Sequence, residues 1–140
     1  MFRTAIRAGS RVRLPRAPST REGAYFQIVR VLVTVSPLMY REAIAHSLHR
    51  RRPDFEVRIA PPEAAEKEVR GFGPHLLVRS DTDGLDRSVL EGVPCWVEVC
   101  YSDSMDAKIS VDGRLEEFRD ISTDDLLRAA DEVVARVRRA

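Results

Sequence analysis

The sequence predicts an α/β fold in which helices cover both faces of a central parallel sheet. Apolar runs rich in β-branched residues alternate with helical stretches, and the loops between them are short. Such alternation favours a parallel sheet, and right-handed crossovers then give a three-layer sandwich. We expect about five strands in one domain, because strands of this kind recur at regular intervals along the chain. An Asp-Gly dipeptide late in the chain predicts that a β-hairpin interrupts the alternation.

The first strand is predicted over residues 26–35, FQIVRVLVTV, which is almost continuously apolar, as a strand buried on both faces should be. Ser36 suits the N-cap of the following helix, and Pro37 suits its first position. The helix is predicted to extend to about Arg51, before Pro53. Its core-facing stripe is predicted to contain Leu38, Tyr40 or Arg41, Ile44, Ala45 and Leu48.

The middle of the chain predicts two more strand–helix units and a fourth strand. The second helix is expected to end at Gly71, because glycine favours the backbone conformation found after a helix. The third strand, His75 to Arg79, leads into the polar loop Ser80-Asp81-Thr82-Asp83-Gly84. The predicted elements are a strand over 55–60, a helix over 62–70, a strand over 75–79, a short helix over 86–91 and a strand over 95–101.

The end of the chain combines a hairpin with a final helix. Asp112-Gly113 separates two alternating runs within residues 107–118, which predicts a small antiparallel ribbon. Ser122 is the predicted N-cap of the last helix, with Asp125 completing a capping box. Its predicted apolar face consists of Leu126, Leu127, Ala130, Val133, Val134 and Val137.

Charge divides the chain into a basic leader, residues 1–24, and a mildly acidic domain, residues 25–140. Residues 1–21 hold six arginines and no acid, whereas residues 22–140 hold 17 basic and 22 acidic residues, a net charge of −5. The leader is interpreted as a disordered arm, a product of an upstream start, or a transit peptide. No apolar run approaches the ~20 residues of a membrane span. The sequence argues against a nucleic-acid partner and favours a cytoplasmic protein with two unpaired cysteines.

Polar residues gather where the predicted strands end, and this is where open parallel sheets bind ligands. They are Ser36, Ser80, Asp81 and Ser102. Asp81 and Asp83 could hold a cation, but the loop lacks the spacing of an EF-hand; a solvated loop that caps the next helix is the favoured interpretation. No phosphate-binding glycine loop or nucleophile elbow is present, so we expect no catalytic residue, no cofactor and no metal.

Three segments resemble parts of a response-regulator receiver domain, which has a flavodoxin-like fold. VLVTVSPLMYREAI (residues 31–44) resembles its opening, GPHLLVRSD (residues 73–81) its third strand, and FRDISTDDLLRAADEVV (residues 118–134) its closing segment. They occur in the family's order, and the match in their spacing covers roughly residues 28–138. The resemblance places the predicted hairpin where part of the fourth-helix region of a receiver would be.

The resemblance implies a degenerate receiver, because its acidic phosphorylation pocket has been replaced. The family's acidic pair falls on Thr34-Val35-Ser36, and its phosphoacceptor falls on Ser80, with Asp81 next along. The switch hydroxyl falls at or near Cys100 and Tyr101, and the family's lysine is Arg119. A hard divalent cation requires carboxylate oxygens that these positions do not supply. The resemblance therefore implies a pseudo-receiver without Mg²⁺-dependent aspartyl phosphorylation.

Two functions from different classes follow from these expectations. The first is a non-catalytic signalling or regulatory module that binds another protein, a second copy of the chain being one option. The free edge of the predicted hairpin could serve such pairing. The second is a small-ligand-binding or enzymatic flavodoxin-like domain that uses the polar strand ends.

Overall fold

The computed structural model describes residues 28–100, 106–111, 113–119 and 122–139. The expected leader therefore lies outside the described residues, as do Tyr101 and Ser102. The elements are β1 (Arg30–Val33), α1 (Leu38–Arg51), β2 (Glu56–Ile59), a 3-10 turn (Pro62–Ala64), α2 (Ala65–Phe72), β3 (Leu76–Ser80), α3 (Arg87–Leu90), β4 (Cys95–Cys100), β5 (Asp106–Val111), β6 (Arg114–Phe118) and α4 (Thr123–Arg139).

The strands form one mixed sheet in the order β2-β1-β3-β4-β5-β6. The first four are mutually parallel, and β5 and β6 are antiparallel to their neighbours. The expected parallel sheet of about five strands is thus corrected to four parallel strands plus a hairpin. Only residues 101–105 separate β4 from β5, and a parallel crossover needs about a dozen residues or more. The order is therefore not the flavodoxin order, which ends at a fifth parallel strand.

The two faces of the sheet carry layers of different thickness. On the first face, alternate residues of every strand from β1 to β5 pack against α1 and α4, which have 14 and 17 residues. On the second face, a smaller cluster around Leu32, Leu77 and Val93 packs against α2 and α3. These helices have only eight and four residues. The α/β layering is confirmed, but the second layer is thin.

The β5–β6 hairpin is confirmed where Asp112-Gly113 predicted it. Val111 and Arg114 are the last paired residues, so the chain reverses between them. Gly113 has a φ of +84°, a value that glycine adopts at no steric cost. The ribbon extends the sheet on the far side of β4, and β6 becomes an edge strand.

The start of α1 differs from the prediction. Pro37, not Ser36, occupies the N-cap position, and its carbonyl oxygen accepts hydrogen bonds from the N–H groups of Tyr40 and Arg41. The Ser36–Pro37 peptide bond is cis. Leu38 and Tyr40, two residues of the predicted core stripe, are 51% and 40% exposed. The stripe reaches the core only further along the helix, where Ala45 and Leu48 are buried.

The end of α2 differs from the prediction, whereas the start of α4 agrees with it. α2 continues through Gly71 to Phe72, and Gly73 adopts the left-handed conformation with a φ of +63°, so the expected stop at Gly71 was two residues early. At α4, the reciprocal capping box is confirmed. The N–H of Asp125 donates to Ser122 Oγ at 3.2 Å, and the N–H of Ser122 donates to the Asp125 carboxylate at 3.0 Å.

Among the helices that the structure describes, none combines the length and the hydrophobicity that crossing a bilayer requires.

Candidate functional site

The carboxyl ends of β1 and β3 are tied directly to each other. The N–H of Thr34 donates to the carbonyl oxygen of Val78 at 2.8 Å, and the N–H of Ser36 donates to Ser80 Oγ at 3.0 Å. Ser80 is 1% exposed, and Thr34 and Val35 are fully buried. The Thr34 hydroxyl has no hydrogen-bond partner among the described residues. The positions predicted to be a dismantled acidic pocket thus form a closed contact of hydroxyl and backbone groups.

Asp81 lies just outside this contact and faces solvent. Its N–H donates to the carbonyl oxygen of Val99 at 3.0 Å, and its side chain lies beside the thiol of Cys100. Burial raises the pKa of the Cys100 thiol, and the negative charges of Asp81 and Glu98 raise it further. A protonated thiol is a poor nucleophile, so this neighbourhood does not favour cysteine chemistry. Neither Cys100 nor the buried Cys95 forms a disulfide, as the sequence predicted.

Asp83 has a different role from the one that the sequence suggested. Its side chain is fully buried and forms a two-pronged ion pair with Arg79, with N···O distances of 2.7 and 3.0 Å. One oxygen also accepts the N–H of Leu85 at 2.9 Å. The expected solvated loop is therefore wrong for Asp83, because its carboxylate neutralises a buried guanidinium. Both oxygens of Asp83 are therefore engaged by Arg79 or by the Leu85 N–H.

Arg79 is a buried charged residue of this region that the sequence did not single out. It is 5% exposed at the centre of the sheet, on the second face. Besides Asp83, its guanidinium lies 3.6 Å from a Glu98 oxygen and 6.0 Å from the centre of the Trp96 ring. An arginine within a strand that is otherwise buried needs compensating charge. That requirement was the signal in the sequence, although it does not say which acid supplies the charge.

A groove of about 710 Å³ opens on the second face beside this ion pair. Arg79, Trp96, Glu98 and Ser110 belong to its sheet side, and α3 and Leu115 of β6 border it. None of the strand-end residues Ser36, Ser80 and Asp81 lines it. This groove is thus displaced from the strand ends toward β4, β5 and β6.

The remaining candidate residues do not join a common site. Arg119 is exposed and follows the outer strand β6, which is three strand positions from β3, or about 14 Å at the usual spacing. His75 lies at the opposite end of β3 from Ser80, where its Nδ1 accepts the N–H of Arg30 at 3.0 Å. Burial and the charge of Arg30 lower the pKa of His75. It holds β1 and β3 together and is too far from Ser80 to act as its base.

Exposed apolar residues also lie at the start of α1. Leu38, Met39 and Tyr40 are consecutive and are 51%, 68% and 40% exposed. Consecutive residues of a helix do not face one another, so these three side chains do not share one face of α1.

Within the described ranges, no group of three or more His, Cys, Asp or Glu side chains is arranged to hold a metal ion. The comparisons with known proteins add no family to this description, since no protein-family model matches the chain and no curated protein or solved structure matches it.

Proposed function

We propose that this protein is a non-catalytic, receiver-like regulatory module that acts by binding another protein and does not undergo Mg²⁺-dependent aspartyl phosphorylation. The observation that carries the proposal is the hydrogen bond from the Ser36 N–H to Ser80 Oγ at 3.0 Å. It lies where the receiver resemblance would put the phosphoacceptor and its acidic neighbours.

The chemistry of this contact supports the proposal. Mg²⁺ requires oxygen ligands that include carboxylates, and a phosphoryl group needs the cation to offset its charge. The strand ends supply hydroxyl and backbone groups instead. Of the two nearby acids, Asp81 faces solvent and Asp83 is committed to Arg79.

The arrangement of the first half of the sheet supports the receiver-like part of the proposal. The parallel strands follow the order β2-β1-β3-β4, and α1 and α4 share one face, as the first and last helices of a receiver do. The hairpin β5–β6 then replaces the elements with which receivers engage their partners. A partner-binding surface on this chain would therefore differ from the one that receivers use.

The alternative is a small-ligand-binding or enzymatic domain that uses the strand ends. It has weaker support, because Ser36 and Ser80, two of its candidate residues, hydrogen-bond to each other. The groove lies elsewhere on the sheet.

The proposal is tested by incubating the full-length protein with acetyl phosphate and Mg²⁺, and separately with beryllofluoride and Mg²⁺. Intact mass and the fluorescence of Trp96, the only tryptophan in the chain, are followed. A phosphorylatable receiver in a parallel reaction verifies the reagents. We expect neither a mass change nor a Mg²⁺-dependent fluorescence change. A Mg²⁺-dependent adduct on Asp81 or Asp83 would contradict the proposal.

A further inference from the structure

The second-face residues of β4, β5 and β6 form a surface that we call the open face. It consists of Trp96, Glu98, Lys108, Ser110, Leu115 and Glu117. The first face of β4 and β5 packs against α4, whereas the helices on the second face are short. The groove occupies this surface, and Leu115 is 50% exposed. Ser110, at the middle of the face, is only 4% exposed, so among the described residues it is the side toward β6 that lacks a covering layer.

Strand register arranges the open face in two rows. Trp96, Ser110 and Leu115 lie opposite one another across the three strands, which gives a mostly apolar row. Leu90, Val93 and Pro94 extend this row along the groove. An occupant would therefore need an apolar stripe to cover it.

The second row alternates in charge, from Arg79 through Glu98 and Lys108 to Glu117. The buried carboxylate of Asp83 already neutralises Arg79. Around the face, the five carboxylates of Glu91, Glu98, Glu117, Asp81 and Asp106 then outnumber the three cations of Arg87, Lys108 and Arg119, which lies opposite Asp106 in the β5–β6 register. The border of the open face is consequently acidic and complements a basic partner.

The size and charge of the open face favour a single helix over a second copy of the chain as its binding partner. Three strands are about 14 Å wide and six residues about 20 Å long, an area of about 280 Å². A second copy would usually bury about 800 Å² per partner, and it would bring two acidic borders together. A single helix, about 10 Å in diameter, matches the width of the face.

We propose that the open face binds an amphipathic, basic helix of a partner protein. The apolar stripe of that helix lies over Trp96 and Leu115, and its lysine or arginine residues point toward Glu91 and Glu117. This inference rests on the proposed function, since it names the surface through which a protein-binding module works.

The probe for the test is a synthetic 14-residue helical peptide without tryptophan. It carries leucine at positions i, i+3, i+4 and i+7 and lysine at its remaining polar positions, and a matched peptide carries glutamate instead. Emission from Trp96 in the full-length protein reports binding. We expect saturable binding of the lysine peptide that weakens with added salt, and binding of the glutamate peptide that is at least about tenfold weaker.

Variants then locate the binding. Leu115→Ser is expected to weaken binding of the lysine peptide about tenfold, because the apolar row loses its exposed anchor. The double variant Glu91→Lys/Glu117→Lys is expected to reverse the preference between the two peptides. The matched control, Glu42→Lys/Glu63→Lys, changes two exposed acids elsewhere and is expected to leave both affinities unchanged. Equal binding of both peptides, or binding that ignores Leu115→Ser, would overturn the inference.

Two further measurements decide between occupants. If Trp96 emission changes without peptide when Arg3, Arg7 and Arg11 become glutamine in the full-length chain, the surface belongs to the chain's own basic segment. If sedimentation shows a dimer that Leu115→Ser dissociates, the surface belongs to a second copy. Either result overturns the partner helix. Failure of peptide binding without a phosphoryl adduct rejects this inference alone, whereas an adduct rejects the proposed function independently.

Discussion

The buried ion pair between Arg79 and Asp83 provides a stringent test of the structure. The change is Asp83→Asn, which removes the negative charge and keeps the shape of the side chain. The two side chains are 6% and 0% exposed, and the shorter N···O distance is 2.7 Å. Removing one member of such a buried pair leaves an uncompensated charge and costs about 3–5 kcal/mol. Because the free energy of unfolding of a small domain is only about 5–15 kcal/mol, the variant should be severely destabilised.

The assay is equilibrium unfolding in urea, followed both by far-UV circular dichroism and by Trp96 emission. Two probes are needed because Arg79 lies over the Trp96 ring, so the native emission of a variant can change without a change in stability. Arg79→Met should be similarly destabilising. The double variant Arg79→Met/Asp83→Asn should cost less than the sum of the single changes, by about 1–3 kcal/mol.

The matched control is Glu66→Gln, which breaks the ion pair between Arg70 and Glu66 on α2. Those side chains are 68% and 56% exposed, and a pair of this kind contributes about 0.3–0.5 kcal/mol. Two results would contradict a buried ion pair. One is that Asp83→Asn lowers the free energy of unfolding no more than Glu66→Gln does. The other is that the double variant loses the sum of the two single losses.

Three other predictions concern individual contacts. Ser80→Ala should cost about 1–3 kcal/mol in urea unfolding, because the Ser36 N–H loses its buried acceptor; an unchanged midpoint would count against that hydrogen bond. Ser122→Ala should destabilise the protein by about 1 kcal/mol by removing the cap that Asp125 completes, and Ser122→Thr should restore most of it. The pKa of His75 is lower in the folded protein than its ordinary value of 6.5, so the unfolded chain takes up a proton first and stability falls as pH drops below about 6.5. His75→Asn should reduce the loss of stability between about pH 7 and pH 5. If the variant loses stability with pH as the original protein does, His75 is not its cause.

Much of the fold could be predicted from local rules. The hairpin followed from the turn preference of Asp112-Gly113, and the start of α4 followed from the spacing of Ser122 and Asp125. Each depends on residues close in sequence, where backbone preference alone decides the conformation. The expectation of about five parallel strands was wrong, because residues 101–105 are too few for a crossover from β4 to a fifth parallel strand.

The candidate site was harder to predict because it depends on contacts between distant residues. Ser36 was expected to cap α1, but its N–H instead donates to Ser80, 44 residues away in the chain. Asp83 looked like a solvated turn residue, and only the packing of the sheet shows that its carboxylate meets Arg79. The open face was also not predicted, although the short helix expected over residues 86–91 corresponds to α3.

The central claim is that the strand ends form a closed contact of hydroxyl and backbone groups that binds no Mg²⁺–phosphoryl group. The most direct test follows the backbone amide signals of Ser36, Ser80 and Asp81 by ¹H–¹⁵N NMR while Mg²⁺ and then beryllofluoride are added to the full-length protein. We expect these three signals to keep their positions through both additions. Saturable shifts of the three signals that require both Mg²⁺ and beryllofluoride would contradict it.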